Sequence, residues 1–250
     1  RRFIKFGVDL IKLNLSGESI TGVGAEETPM ADDEIAMAVR EAKARGKRIC
    51  AHARSDQSVR YCLDYGIEII YHASFASDKT IDDLAARKDE FFVAPGLAWL
   101  INTGYHAGAY GLPPEVAGEM GYHRELEQAI KTMRKMKDAG IRVLPGGDYG
   151  FAWTPHGTNA KDLEYFVDRL GFTPMEAIVS ATSQGGQIMG SPDELGQVRA
   201  GYLADMILVD GDPATDVKVL QHRERILAVM KDGGFHRRPP TRVAGMRIAA

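Results

Sequence analysis

The sequence predicts an α/β protein built on a parallel sheet and followed by a smaller β unit. Three observations carry this. Short apolar runs alternate with amphipathic helical patterns through the first part of the chain, the rhythm of strand and crossover helix. Several of those runs end in a residue with metal-ligand or proton-transfer chemistry. After residue 195 the pattern changes to strands joined by turn-rich loops.

The first run, Gly7 to Leu15, reads as a buried parallel strand rich in branched apolar residues, with Lys12 near its C-terminal end. Taken alone, Lys12 has two readings. Its stem packs while the ammonium snorkels to water, or its amine is carboxylated to a carbamate able to bridge two metal ions. Later strand ends have to decide. Asp32 and Asp33 open a helix on which Ile35, Ala38, Val39 and Ala42 share a face, and Gly46 ends it. A strand over 48–52 follows. Ser55 caps the next helix, which runs through Val59, Cys62 and Leu63 to Gly66, and a strand over 67–72 ends at His72. A helix over 78–88 leads to the strand Phe91 to Ala94, which Pro95 stops. The stretch from Gly96 to Gly121 is rich in Gly, Pro and aromatics and long for a connector, so it predicts a lid or substrate loop. Glu125 to Ala139 is an amphipathic helix whose Met133 and Met136 belong to the core. After Gly140 a strand over 141–145 runs into Gly146-Gly147-Asp148. Helices follow over 160–170 and 173–182, then strands over 201–210 and 226–230.

Composition excludes several classes of function. With 250 residues, 44% hydrophobic and 26% charged, the chain can bury a full core. A net charge of -3 gives no basic face for nucleic acid. The basic cluster His236-Arg237-Arg238 with Arg242 stands beside Pro239-Pro240 and reads as a solvated tail. Two cysteines, Cys50 and Cys62, are too few for a disulfide framework, and no run has the length of a membrane span, so a reducing cytoplasm is the expected compartment. The chain opens on Arg1 rather than Met and enters a strand at once, as a piece of a longer protein would. A signal peptide ahead of it is therefore outside this reading.

The chemistry lies at the strand ends. Lys12, His52, His72 and Asp148 each stand at or near the C-terminal end of an expected parallel strand, the face on which barrel active sites are built. One histidine there is ordinarily a hydrogen-bonded core residue. Two on successive strands, followed by an aspartate after a Gly-Gly turn, supply the neutral imidazole and carboxylate that a Zn²⁺ site requires.

This order of lysine, His, His and Asp, with Ala181-Thr182-Ser183, Gly190, Gly196-Gln197-Val198 and Gly201-Tyr202-Leu203-Ala204-Asp205, resembles the amidohydrolase superfamily over nearly the whole chain. Pro155-His156-Gly157 also looks like that family's stretch after strand eight, and the likeness is closest to the imidazolonepropionase-related and prolidase-like branch. The resemblance implies a TIM-type (β/α)8 barrel, with residues 1–195 supplying strands four to eight and residues 196–250 the C-terminal part of a small β-sandwich domain and a tail. It implies a carbamate on Lys12 bridging two divalent metal ions, Zn²⁺ first among them, with His52 and His72 on the second metal and Asp148 on the first. A metal-bridging hydroxide would attack the amide carbonyl of a small-molecule amide or peptide, a dipeptide or N-acyl amino acid, and Asp148 would pass the proton to the leaving amine.

The chain departs from the family in lacking the His-x-His pair of strand one. This implies a missing N-terminal segment, upstream or on a partner chain, and strand edges open to association with that segment or with other copies as a homo-oligomer. For substrate binding, Arg54 could pair with a substrate carboxylate or be salt-bridged to a neighbouring acid. Tyr105, His106, Tyr149 and His156 are positional candidates, whereas His123, His222 and His236 read as structural or exposed. Two alternatives stand beside the amidase. One is a deaminase or cyclic amide or ester hydrolase on the same scaffold, against whose single-metal form a bridging lysine argues. The other is a non-enzymatic fragment or assembly subunit.

Overall fold

The computed structural model describes residues 1–240, which belong to two compact units, Arg1–Gly171 and the segment from Phe172 onward. This division falls earlier than the change of pattern at residue 195. Among the described residues no helix is long and apolar enough to cross a membrane.

The first unit opens on a one-turn helix, α1 (Arg2–Lys5), and not directly on a strand. Strand β1 (Leu10–Asn14) then begins a regular alternation. Helix α2 (Asp32–Lys43) starts where Asp32, Asp33 and Glu34 meet its positive N-terminal end, the Ala31 N–H donating to Glu34 at 3.0 Å. Strand β2 (Arg48–Ala53) leads to α3 (Asp56–Tyr65), whose Ser55 cap accepts from the Ser58 N–H at 3.1 Å. Strand β3 (Ile69–His72) is followed by α4 (Asp78–Ala86), capped by Ser77, and by β4 (Phe92–Ala94). Helices α5 (Leu97–Tyr105), α6 (Pro114–Glu119) and α7 (Tyr122–Asp138) precede the two-residue strand β5 (Arg142–Val143) and α8 (Lys161–Leu170).

The five strands form one parallel sheet in chain order, β1 to β5. The register brings Asn14 opposite His52 and Ala53 opposite His72, so the candidate ligands of neighbouring strands emerge at nearly one level. Strand β2 is buried from Ile49 to Ala53, as a parallel strand covered on both faces should be. Strand β1 departs from the expected buried strand. It is paired on one side only among the described residues, and Lys12 and Asn14 are exposed.

The expected lid over Gly96–Gly121 is also corrected, because most of it is helical. Gly96, at φ +68°, makes the left-handed turn off β4, and Leu97 to Ile101 then bury five consecutive apolar side chains as α5. Pro114 occupies the first position of α6, where its missing N–H costs nothing. Of the aromatics that suggested a substrate loop, Trp99 is packing, its ring 4.3 Å from Phe151 and 5.6 Å from Trp153 between centroids, whereas Tyr105 and Tyr110 are exposed.

In the second unit, α9 (Pro174–Ala181) is held by a capping box between Thr173 and Glu176, and α10 (Ser183–Ile188) follows. Strands β6 (Met206–Val209), β7 (Ile226–Lys231) and β8 (Gly234–Arg237) make an antiparallel sheet in that order. The β7–β8 connection is Asp232-Gly233, both at positive φ, which is the two-residue turn that matches strand twist. His236 and Arg237 therefore lie on a strand, not on an irregular tail, though they are exposed as expected, with the Arg237 guanidinium donating to the Arg223 carbonyl at 3.1 Å. Arg242 lies outside the described residues.

Candidate active site

A cleft of about 260 Å³ opens at the C-terminal ends of the parallel strands, lined by Lys12, Tyr71, His72, Ala94, Gly146, Asp148 and Tyr149. His52 stands beside it, edge-on to His72 with ring centroids 4.6 Å apart. Three of the four strand-end residues singled out in the sequence thus line one opening, and the fourth, His52, packs against His72. Lys12 reaches across from β1, its ammonium 5.1 Å from the centre of the Tyr71 ring.

The backbone around the site is unusual. His72 (φ +78°), Ala73 (φ +52°) and Asp148 (φ +58°) are non-glycine residues in the left-handed region, at the exits of β3 and β5. Each such residue costs on the order of 1–3 kcal/mol unless its surroundings compensate. The Ala73 N–H donates to the Ala53 carbonyl at 2.9 Å, so the exit of β3 stays tied to β2. On the other side Trp99 N–H donates to the Gly147 carbonyl at 3.0 Å, and Gly150 N–H to Thr154 at 2.9 Å, bracketing Asp148. Gly147 has no room for a side chain: a Cβ there would lie 2.7 Å from both Ala98 Cβ and Asp162 Oδ2.

Charge and burial set the two imidazoles apart from Lys12 and Asp148. His52 and His72 are buried, and desolvation first, then the positive charge of Arg54, holds both below the ordinary histidine range. Both rings are therefore neutral and keep a lone pair. His52 Nε2 lies 3.0 Å from the Gly17 carbonyl, while His72 Nδ1 makes no hydrogen bond to any described residue. Lys12 and Asp148 are exposed to the cleft. Burial, then Cys50, pushes the Tyr71 phenol up to about 12, so it remains a donor. The Tyr149 phenol is raised by burial and by Asp162. Asp162 itself is pushed up to about 7 by burial, against hydrogen bonds from Tyr149 and from the Ala98 and Gly146 backbone.

The substrate candidates separate. Tyr149 lines the cleft; Tyr105, His106 and His156 do not. Tyr105 stacks on His123 at 4.5 Å, His123 Nε2 donates to the Gly104 carbonyl at 2.9 Å, and His106 and His156 are exposed. Arg54 is fully buried, with one terminal nitrogen on Glu18 and the other on Glu125, so a substrate carboxylate would have to displace one of them. Sequence reasoning missed Tyr71, Ala94, Gly96 and Gly146. Gly96 matters because a Cβ there would stand 2.7 Å from His72 Nδ1. Its position directly after a strand and Pro95, opposite a strand-end histidine, was the available signal.

Comparison with known proteins identifies the scaffold. The model of the amidohydrolase family matches residues 1–235. The chain belongs to the amidohydrolase family. Among its relatives are the ochratoxinase of Aspergillus niger, 27% identical over 241 residues (94% of this chain, 48% of that protein), and the imidazolonepropionase of Rubrobacter xylanophilus, 27% identical over 178 residues (70% and 41%). The crystal structure of a Xaa-Pro dipeptidase with bound methionine superposes with a TM-score of 0.81 at 26% identity, covering 94% of this chain and 56% of that one. This amidohydrolase chain spans about half the length of the curated relatives it matches. Its five-stranded parallel sheet is consistent with part of a TIM-type barrel.

Amidohydrolases usually bind metal ions. Among the described residues no three His, Cys, Asp or Glu side chains converge closely enough to hold one by themselves. The donors present nevertheless fit in kind. Two neutral imidazoles pack edge-on, and the amine that a carbamate would convert to an anionic ligand opens into the cleft with the Asp148 carboxylate.

Proposed function

We propose that this chain is the C-terminal half of a metal-dependent hydrolase that cleaves an amide or peptide bond in a small substrate, of the dipeptide or N-acyl amino acid kind. The observation that carries the reading is the shared cleft. Lys12, His72 and Asp148 line it and His52 flanks it, from four separate strand ends that are far apart in sequence. Membership of the amidohydrolase family and likeness to a Xaa-Pro dipeptidase support the bond type. The five strands are then strands four to eight of the barrel, and the antiparallel sheet is part of the companion β-sandwich.

In this reading Lys12, as a carbamate, together with His52, His72 and Asp148 would hold two divalent ions, zinc first among them. The bound metal supplies Lewis-acid polarisation of the amide carbonyl and an activated water. The chain's own residues do the rest. His52 and His72, already neutral, need no deprotonation before they bind. Asp148, exposed in the cleft, takes a proton on its carboxylate and returns it to the departing amine nitrogen. Tyr149 lines the same cleft, its phenol kept protonated and hydrogen-bonded to Asp162, so it shapes the wall beside Asp148. The remaining metal ligands would stand on strands outside these 250 residues.

The test is a hydrolysis screen on the protein expressed with whatever sequence its gene carries before Arg1, reloaded with zinc. N-acyl amino acids and Xaa-Pro dipeptides are compared with cyclic amides and aminated heterocycles. Release of amino acids from the first group supports the amidase. Release of ammonia from heterocycles alone would show a deaminase on the same scaffold, and turnover of neither with no zinc retained would leave an assembly subunit.

A further inference from the structure

Just beyond the histidines lies a charged network that the hydrolytic reading does not use. Arg54, two residues past His52, is completely buried, and its terminal nitrogens each meet a carboxylate, Glu18 after β1 and Glu125 on α7. Glu18 also accepts from the Tyr122 hydroxyl at 2.8 Å, and that oxygen accepts from the Ile20 N–H at 3.1 Å. Glu125 accepts from Ser74, two residues past His72, at 2.7 Å. The Arg54 backbone N–H donates to the Ser16 hydroxyl at 2.8 Å, and the Phe75 N–H to the Arg54 carbonyl at 2.9 Å. The exits of β1, β2 and β3 and the start of α7 are thus fastened to one guanidinium.

The network touches the site at one atom. Gly17, between Ser16 and Glu18, places its carbonyl 3.0 Å from His52 Nε2. A carbonyl oxygen can only accept, so in the neutral ring Nε2 carries the proton and Nδ1 keeps the lone pair. Gly17 is also held through its N–H, which donates to the Glu27 carbonyl at 2.9 Å, and it has no room for a side chain, since a Cβ on it would lie 2.2 Å from the Gly24 carbonyl.

We propose that Arg54 is a positioning residue: by clamping Glu18 it holds the Gly17 carbonyl on His52 and so dictates which nitrogen of that ring is free to bind a ligand. The two carboxylates divide its work. The Glu18 branch leads to Gly17 and His52, and the Glu125 branch leads to Ser74 and α7. A purely structural strut would make the branches equivalent; the clamp makes them differ. The identity of the ligand, a zinc ion, rests on the proposed function, but the state of the His52 ring does not.

The experiment is long-range ¹H–¹⁵N spectroscopy of the intact, ¹⁵N-histidine-labelled chain, free of metal and well above the ordinary histidine titration range, with His52 assigned from the signals lost in His52→Gln. Wild type and Glu125→Gln should show the Nε2–H form of His52 alone. Glu18→Gln and Arg54→Lys should show a mixture with the Nδ1–H form. Zinc affinity, measured by competition with a chromogenic chelator, should fall about ten- to a hundredfold in Glu18→Gln, as for loss of other groups that orient a ligating histidine, and stay near wild type in Glu125→Gln. If Arg54→Lys does not fold, Glu18→Gln decides, since Glu18 is at the edge of the network and part-exposed. An unchanged His52 ring in Glu18→Gln, or an equal change in Glu125→Gln, would overturn the proposal. Failure of wild type to bind zinc while the spectra still separate the two variants would refute the metal-hydrolase reading and leave the clamp standing.

Discussion

The central strands β2 and β3 and the outer strands β1 and β5 contribute to one cleft in opposite ways. His52 and His72, at the ends of the central pair, are buried, neutral and held by their surroundings before any ligand arrives. Lys12 and Asp148, on or just after the outer pair, are exposed, and Asp148 is in a left-handed conformation. The lesson is a division of labour. Burial between covered strands holds the two imidazoles neutral, while Lys12 and Asp148, on or after strands paired on one side only among the described residues, stay open to the cleft.

That contrast can be broken from its catalytic side first. Asp148→Asn should lower turnover by a factor of about 10² to 10⁴, the usual contribution of a positioned acid–base, while chemical stability moves by less than about 0.5 kcal/mol, as for other exposed positions. Asparagine tolerates the left-handed backbone as aspartate does, so steady-state kinetics beside urea unfolding separates the two quantities. Large destabilisation would mean that this margin is structural after all.

Arg54→Met tests the buried side. Removing the guanidinium strands Glu125, which is 2% exposed, in the interior, and uncompensated buried charges cost about 3–5 kcal/mol. The urea midpoint should fall accordingly; a loss under about 1 kcal/mol would show that water reaches the network. Gly96→Ala should have a smaller effect, about 1–3 kcal/mol, because φ is +68° and the new Cβ would collide with His72 Nδ1 at 2.7 Å. Zinc affinity should drop with it, since the displaced atom belongs to the ring proposed to bind.

A further expected effect is in pH dependence. Asp162 is pushed up to about 7 by burial, against about 3.9 for an unfolded aspartate. Between those values the folded state holds more protons than the unfolded one, so the contribution of Asp162 to stability declines as pH rises from about 4 to about 7. Asp162→Asn removes that slope. Urea midpoints at the two ends of the window should differ by less in the variant than in wild type, and identical differences would show that Asp162 is ionised throughout.

Much of this organisation is legible in the sequence. The strand–helix rhythm locates β1 to β5, because apolar runs ending at His52 and His72 are the simplest signal of parallel strands, and Ser55 and Gly66 mark both ends of α3. Lys12, His52, His72 and Asp148 are readable as a set for the same reason: position at a strand end is a one-dimensional property. What is not legible depends on three-dimensional neighbours. Gly96 to Gly121 has loop-like composition, yet burial of Leu97 to Ile101 overrides it and makes a helix. Arg54 is ambiguous until Glu18 and Glu125 are seen around it, since nothing in the local sequence points to a glutamate 71 residues away. The β7–β8 hairpin could have been found from Asp232-Gly233, and was obscured by the basic residues that follow.

The most direct test of the central claim, that these four strand ends form one metal-dependent hydrolytic site, is the metal content of the purified protein compared with that of Lys12→Ala. Elemental analysis after reloading with zinc and bicarbonate, on protein carrying whatever its gene encodes before Arg1, should give about two zinc ions per chain for wild type. The Lys12→Ala variant should lose bound zinc together with amide hydrolysis. A Lys12→Ala protein that keeps its zinc and hydrolyses at the wild-type rate would contradict the account.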